Sequence, residues 1–298
     1  MAKVPMYLIA GMLWCGCGFL SETVTAQTPI LAESEPEKAP RVATSKPRIM
    51  ENKFLKHLPK KFEMPTDHAG RLLLREYGSV FVAGKGVGRP TKVVFRDEAE
   101  VAAFQSTLDR ATETIGTYTI ELQTAAMKAL NDAITYALSA GLSITPRDID
   151  ASRRGYDDTV YLWASRVEPA LEYWVQKGRL KQEEADRLRS MTAFQQVPRV
   201  LELEKDGIYF AKDLSKSIIY SVAPPGASQH LSMLAFDINE YDDPQVRNIL
   251  ANHGWFQTVI SDLPHFTFLG LKESELPDRG LRLVISGDRR FWVPDIRE

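Results

Sequence analysis

The sequence predicts an α+β chain, with helical periodicity through its middle and strand-like runs gathered in its last third. A Gly- and Pro-punctuated stretch precedes the helices, and residues 78–95 read as a β-hairpin there. In that hairpin GSVFVA and TKVVF are the strands and GKGVGRP the connection. The connection is no phosphate cradle. A P-loop needs a helix directly after its Gly-Lys-Ser/Thr, and here Pro90 and a second strand follow. Helices are expected over residues 97–110 and 118–140, the second stopped by Gly141. Across residues 157–177, Val160, Trp163, Val167, Leu171 and Trp174 recur at three- and four-residue steps, which makes one helical face. Trp163 and Trp174 at this spacing read as core rather than as a sugar platform, and Pro169 is placed to kink the helix. Residues 182–191 make a further short helix.

The last third changes period. Asp206-Gly207 is a hairpin signal between VLELE and IYFA. Residues 217–222, 234–238 and 265–269 read as strands. Between the last two lies a punctuated helix: Asp243 suits its N-cap, Pro244 its first turn and Gly254 its stop. Its apolar face runs Val246, Ile249, Leu250 and His253, so His253 reads as a packed histidine rather than a ligand. No internal repeat is present.

The N-terminus suggests export. Lys3, an apolar run over residues 4–20, and the small-residue ending Val24-Thr25-Ala26 together read as a secretory signal peptide over residues 1–26. An uncleaved anchor is the alternative, because the run is marginal for a span. A lipoprotein signal would want a Leu-like residue three before Cys17, where Trp14 stands. Both cysteines, Cys15 and Cys17, lie in this leader, so the mature chain would offer a metal only His and carboxylate. Residues 27–65, rich in Pro, Glu, Lys, Ser and Thr and without apolar periodicity, are expected to be a disordered tether carrying His57. Residues 66–298 suffice for a single domain with a real core. Lys and Arg number 37 against 39 Asp and Glu, a net charge of −2, and they are dispersed. That pattern argues against a nucleic-acid binder, and no stable membrane span is expected once the leader is removed.

Chemistry concentrates in residues 224–270. PPGASQHLSMLAFDIN holds His230 and Asp237, and SDLPHF holds Asp262 and His265. Two imidazoles and one carboxylate supply three protein ligands and leave a fourth position for water, the pattern of a catalytic Zn2+. A nearby carboxylate outside the ligand set can take the proton from that water. On the strand LAFDI, Leu234, Phe236 and Ile238 point one way while Ala235 and Asp237 point the other. Asp237 thereby leaves the apolar face beside a small residue that makes room for an ion. Taken alone, His-x6-Asp also fits a loop-capping Asp237 and an ordinary surface His230.

SQHLSMLAFD followed by DLPHF resembles the zinc D-alanyl-D-alanine carboxypeptidases and dipeptidases, the peptidase family that includes the vancomycin-resistance enzymes. Their pattern is Ser-x-His, six residues to an Asp, and later Glu-x-x-His on a strand. Ser228, His230, Asp237 and His265 match it position by position. The resemblance implies Zn2+ on His230, Asp237 and His265, with Asp262 as the catalytic base. It also implies an α+β fold in which helices pack on a small antiparallel sheet with the zinc at one face. Asp262 departs from the family's Glu by one methylene. A family phrase carrying a substrate-holding Arg has its nearest counterpart in ASRRGYDDT, which makes Arg154 the substrate-binding candidate together with Ser228. Asp148, Asp150, Asp157 and Asp158 flank that phrase, and one of them could orient Arg154. The implied substrate is a peptidoglycan stem peptide in the periplasm or cell envelope, cut at its terminal D-Ala-D-Ala amide. The alternatives are a peptidoglycan endopeptidase and a non-catalytic, zinc-containing cell-wall-binding protein.

Overall fold

The computed structural model describes residues 52–296. The expected signal peptide, and residues 27–51 of the expected tether, lie outside the described residues. The rest of that tether is packed rather than free. Lys53–His57 forms helix α1, capped by the Asn52 side chain, and Phe54 within it is fully buried. Burial of one such ring stabilises the fold by about 1.5–3 kcal/mol, enough to hold this short segment on the domain.

The elements segregate as an α+β chain should. After α1 come α2 (His68–Tyr77), α3 (Glu98–Gln105) and the hairpin β1 (Arg110–Ile115) and β2 (Tyr118–Gln123). Helices α4 (Thr124–Ser139), α5 (Tyr156–Gln176), α6 (Gln182–Ser190) and α7 (Ala193–Lys205) follow. The remainder holds β3 (Ala235–Asp237), α8 (Pro244–Asn252), β4 (Trp255–Phe256), β5 (His265–Phe268) and the hairpin β6 (Leu281–Ser286) and β7 (Arg289–Pro294). Strands β3, β5 and β4 make a three-stranded antiparallel sheet with β5 in the middle. One apolar core runs from Phe54 to Trp292 and takes in Trp163 and Trp174 as expected. Helix α8 has the predicted punctuation, since Asp243 accepts from the Gln245 and Val246 amides and Pro244 sits in the first turn. Among the described residues, no helix is long and apolar enough to cross a membrane.

Four expectations need correction. The hairpin over 78–95 is absent: Gly78–Val82 is a 3₁₀ turn whose five residues are all buried. Backbone partners there come from distant chain, with Gly84 donating to Leu269 (2.7 Å) and Glu63 to Thr91 (2.7 Å), so tertiary packing overrides β propensity. The helix expected from residue 118 starts at Thr124. Before it, Ile120 and Leu122 face inward while Thr119 is exposed, the alternation of strand β2. VLELE is not a strand but the end of α7, whose Thr192–Gln195 capping box fixes its start. Asp206-Gly207 stops that helix, with Gly207 at φ 75°. Residues 217–222 hold only the 3₁₀ turn Ile218–Tyr220. Helix α5 continues through Pro169. The β6–β7 hairpin was not foreseen, although its Gly287-Asp288 turn joins two six-residue strands, paired from Leu281 with Pro294 to Ser286 with Arg289.

Candidate metal centre

Sheet register brings two of the predicted ligands together. Asp237 on β3 stands directly opposite His265, the first residue of β5. The ladder bonds fall on either side of this pair, from Phe268 N–H to Leu234 C=O (2.7 Å) and from Ile238 N–H to Pro264 C=O (3.1 Å). The Asp237 amide turns instead to Ala151 C=O (2.9 Å). Asp237 and His265 thus form a non-hydrogen-bonded pair, the register in which opposed side chains approach most closely.

His230 arrives from the other side on a 3₁₀ turn, Gln229–Ser232, set by the PPG sequence ahead of it. Gly226 there adopts φ +77°, and a Cβ at this position would lie 1.9 Å from the Phe95 carbonyl oxygen, so only glycine fits. Met233 leaves the turn with φ 58°, a left-handed conformation costing on the order of 1 kcal/mol, and redirects the chain into β3.

The three side chains converge. His230 Nε2 is 3.1 Å from His265 Nδ1, and Asp237 Oδ1 lies 3.0 Å from His265 Nδ1 and 3.3 Å from His230 Nε2. Tetrahedral bonds of about 2.0–2.1 Å to zinc place ligand atoms roughly 3.3 Å apart, so this triangle fits the ion. Tautomers agree with that fit. His230 Nδ1 donates to Ser152 C=O (2.6 Å), which leaves the Nε2 lone pair facing the cluster. His265 Nε2 donates to Gln229 Oε1 (3.0 Å), which leaves Nδ1 facing it. Two nitrogen lone pairs and a carboxylate pointed at one spot suit a cation there. Among the described residues this is the one group of three or more His, Cys, Asp or Glu side chains arranged to hold a metal ion.

Charges around the cluster reinforce this reading. Burial would raise the Asp237 carboxyl, but His230 and His265 outweigh it and hold the group well below the usual carboxylate range. Burial, aided by the nearby Arg154 charge, lowers the His230 pKa and favours the neutral imidazole a metal requires. Asp262 sits in the turn before β5 rather than on the strand, and its carbonyl accepts from the His265 amide (3.3 Å). Burial among the cleft walls raises its pKa while His265 opposes the rise and Asp237 adds to it. Asp262 remains exposed at the cleft mouth, so solvent tempers that rise.

A cleft of about 180 Å³ opens over the cluster, with Arg154, Ser228, His230, Asp262 and His265 in its walls. The expected set is therefore gathered at one place, Ser228 included. Arg154 is engaged differently from the expectation. Its Nη2 donates to Asp237 Oδ2 (3.1 Å), and its Nε pairs with Asp150, through both the main-chain carbonyl and the carboxylate (3.1 Å each). Asp150 is thus the partner among the four candidate aspartates, and Arg154 steadies Asp237, a candidate metal ligand. His253 is packed as expected, donating from Nδ1 to Ile249 C=O (2.7 Å).

Gln229 went unforeseen. Its Nε2 donates to Tyr77 C=O (2.8 Å), which orients the amide, and its Oε1 accepts from His265, Thr258 (3.2 Å) and the Thr267 hydroxyl. A glutamine beside a candidate ligand is a faint clue, since nothing local says whether its amide reaches an imidazole 36 residues away.

No family model matches the chain, and no curated protein matches it. Solved structures similar to it include the LdcB LD-carboxypeptidase, described for peptidoglycan recognition, at 16% identity and a TM-score of 0.32. That match covers 53% of this chain and 64% of the other, so the chain spans less than two thirds of that protein. A mutant of the vancomycin-resistance D,D-pentapeptidase VanY in complex with Zn(II) is similar at 16% identity and a TM-score of 0.33, covering 55% of this chain and 82% of that one. At such scores the α+β assignment rests on this chain's own elements.

Proposed function

We propose that the chain is an exported zinc metallopeptidase that cleaves the terminal D-Ala-D-Ala amide of peptidoglycan stem peptides. The observation that carries this reading is the 3.0–3.3 Å triangle of His230 Nε2, His265 Nδ1 and Asp237 Oδ1 beside a free carboxylate in a cleft. The motif spacing supports the substrate class, and the leader pattern of residues 1–26 supports action in the periplasm or cell envelope. A zinc ion bound here would supply Lewis acidity and acidify a bound water.

The chain's own residues supply the rest. His230 and His265 present lone pairs because Ser152 and Gln229 hold their other nitrogens. Arg154 fixes the outer oxygen of Asp237, so the inner oxygen keeps its aim. Asp262 accepts a proton from the attacking water and returns it to the leaving amine nitrogen. A carboxyl with an upward-shifted pKa is suited to that exchange.

The test is D-Ala release from a stem pentapeptide under saturating zinc. Asp262→Ala should keep its metal and lose about a hundred- to ten-thousand-fold in rate, the usual cost of removing a general base. Asp262→Glu should keep zinc and retain or raise activity. Equal release by wild type and Asp262→Ala would remove Asp262 from the mechanism. Zinc-loaded protein that releases nothing from any stem peptide would favour a wall-binding protein instead.

A further inference from the structure

The cleft contains a second arginine that the metal cluster does not use. Arg166 follows Leu162 by one turn of α5, and both line the cleft with Ser221 and Ser228. Trp163 and Val167 on the same helix point into the core, so the helix is rigidly seated behind Arg166. Its Nε donates to Ser221 Oγ (3.2 Å) and its Nη1 to Ser165 Oγ (2.9 Å). Both partners are neutral. Among the described residues no carboxylate pairs with Arg166, and its Nη2 has no protein partner, whereas Arg154 is committed to Asp150 and Asp237.

Ser221 is equally poised. Its Oγ already accepts from Arg166 and from the Lys212 amide (3.3 Å), which leaves its O–H to donate elsewhere. A guanidinium edge and a hydroxyl donor side by side match the two oxygens of a carboxylate. A half-buried cation whose protein partners are both neutral, in a cleft whose lining offers the single carboxylate Asp262, is free to take an anion from outside the chain.

We propose that Arg166 and Ser221 form the subsite for the free α-carboxylate at the C-terminus of the bound peptide, while Arg154 serves Asp237. This rests on the metallopeptidase reading above and sharpens it. A cleft that binds the terminal carboxylate beside the metal site selects a carboxypeptidase over an endopeptidase.

Acetyl-lysyl-D-alanyl-D-alanine, as the free acid and as its C-terminal amide, separates the possibilities. Wild-type zinc protein should favour the acid in kcat/KM by at least about thirtyfold, the lower end of what losing a desolvated charge pair costs. Arg166→Ala should lose that preference mainly through KM, slowing the acid far more than the amide, and keep its zinc. Arg166→Lys should recover only part, because an ammonium lacks the fork. Ser221→Ala, which deletes one hydroxyl, should reduce the acid-to-amide ratio less, and it reads the same subsite should Arg166→Ala fail to fold.

Calorimetric binding of both peptides to the zinc-loaded proteins divides the two hypotheses. Acid-selective binding that depends on Arg166 without cleavage would sink the hydrolase and keep the subsite. Cleavage with no acid preference, or with the wild-type preference intact in Arg166→Ala, would sink the subsite and keep the hydrolase. Neither binding nor cleavage of either peptide would overturn both.

Discussion

Asp237 and Glu204 are both buried acids, 8% and 6% exposed, but they are satisfied in opposite ways. Glu204 projects from α7 and accepts from Ile218 N–H (2.7 Å), Phe210 N–H (3.2 Å) and the Ser217 hydroxyl. All three donors are neutral, so burial dominates and pushes this carboxyl up. Asp237 instead faces two imidazoles, which more than offset the burial cost, and its outer oxygen pairs with the Arg154 guanidinium. Glu204 is complete as it stands, clamping the loop after α7 to its own helix. The Asp237 cluster turns two imidazole nitrogens and the inner carboxylate oxygen toward one spot, so its geometry makes sense around a cation. The difference separates a structural acid from a binding one without reference to conservation.

The largest effects should come from dismantling that cluster. His230→Ala or His265→Ala should cost zinc affinity by well over about a hundredfold, the upper range for contacts that only support a ligand. Metal analysis after dialysis reads this directly, and full occupancy in the double variant would defeat the assignment. Stripping the wild-type protein with EDTA should also lower its melting temperature, because binding to the folded state is linked to folding.

The supporting layer comes next. Gln229→Leu removes the acceptor that fixes the His265 tautomer and should weaken zinc about ten- to a hundredfold with the fold retained. Competition against a chromophoric chelator measures that change. An unchanged affinity would mean that Gln229 only fills space.

Glu204 should respond in stability and not in zinc. Glu204→Ala leaves two buried amides unpaired and should destabilise the protein by about 1–3 kcal/mol for each. Its pH signature follows from the direction of its shift. Because the folded carboxyl titrates above 4.5, the folded state holds the proton more tightly. That contribution is fully present below pH 4.5 and is lost as pH rises through the folded value. Relative to Glu204→Gln, which cannot titrate, wild type should therefore lose melting temperature as pH rises from 4.5 through the folded value. A difference that stays flat or grows would contradict the comparison. Asp237 in metal-free protein behaves in the mirror sense, contributing above 3.8 and losing that contribution as pH falls.

Much of the site was legible in the chain. Asp237 could be placed off the apolar face from alternation in LAFDI, and the register opposite His265 follows once both lie on paired strands. Helix α8 could be bounded to within a residue or two because its Asp-Pro start and Gly stop act on their own backbone neighbours. The misreadings share one cause. VLELE alternates because Glu204 occupies the buried helical position that follows Val197, Val200 and Leu201 on one face. Hydropathy cannot reveal that this acid is satisfied by amides six and fourteen residues on. GSVFV looked like a strand because its residues are apolar, yet burial on every side leaves no alternation to distinguish strand from turn.

By itself, then, the sequence determined the candidate ligand types, their spacing, the α+β class and the caps of helix α8, because these depend on side-chain chemistry and on contacts a few residues apart. Only the tertiary structure decided that Arg154 serves Asp237 while Arg166 is left unpaired, and that Gln229 orients His265. It also decided that the chain from Asn52 packs on the domain. Those outcomes hang on which distant groups meet at about 3 Å, the range over which a hydrogen bond forms or fails. Such distances are fixed by the packing of whole elements.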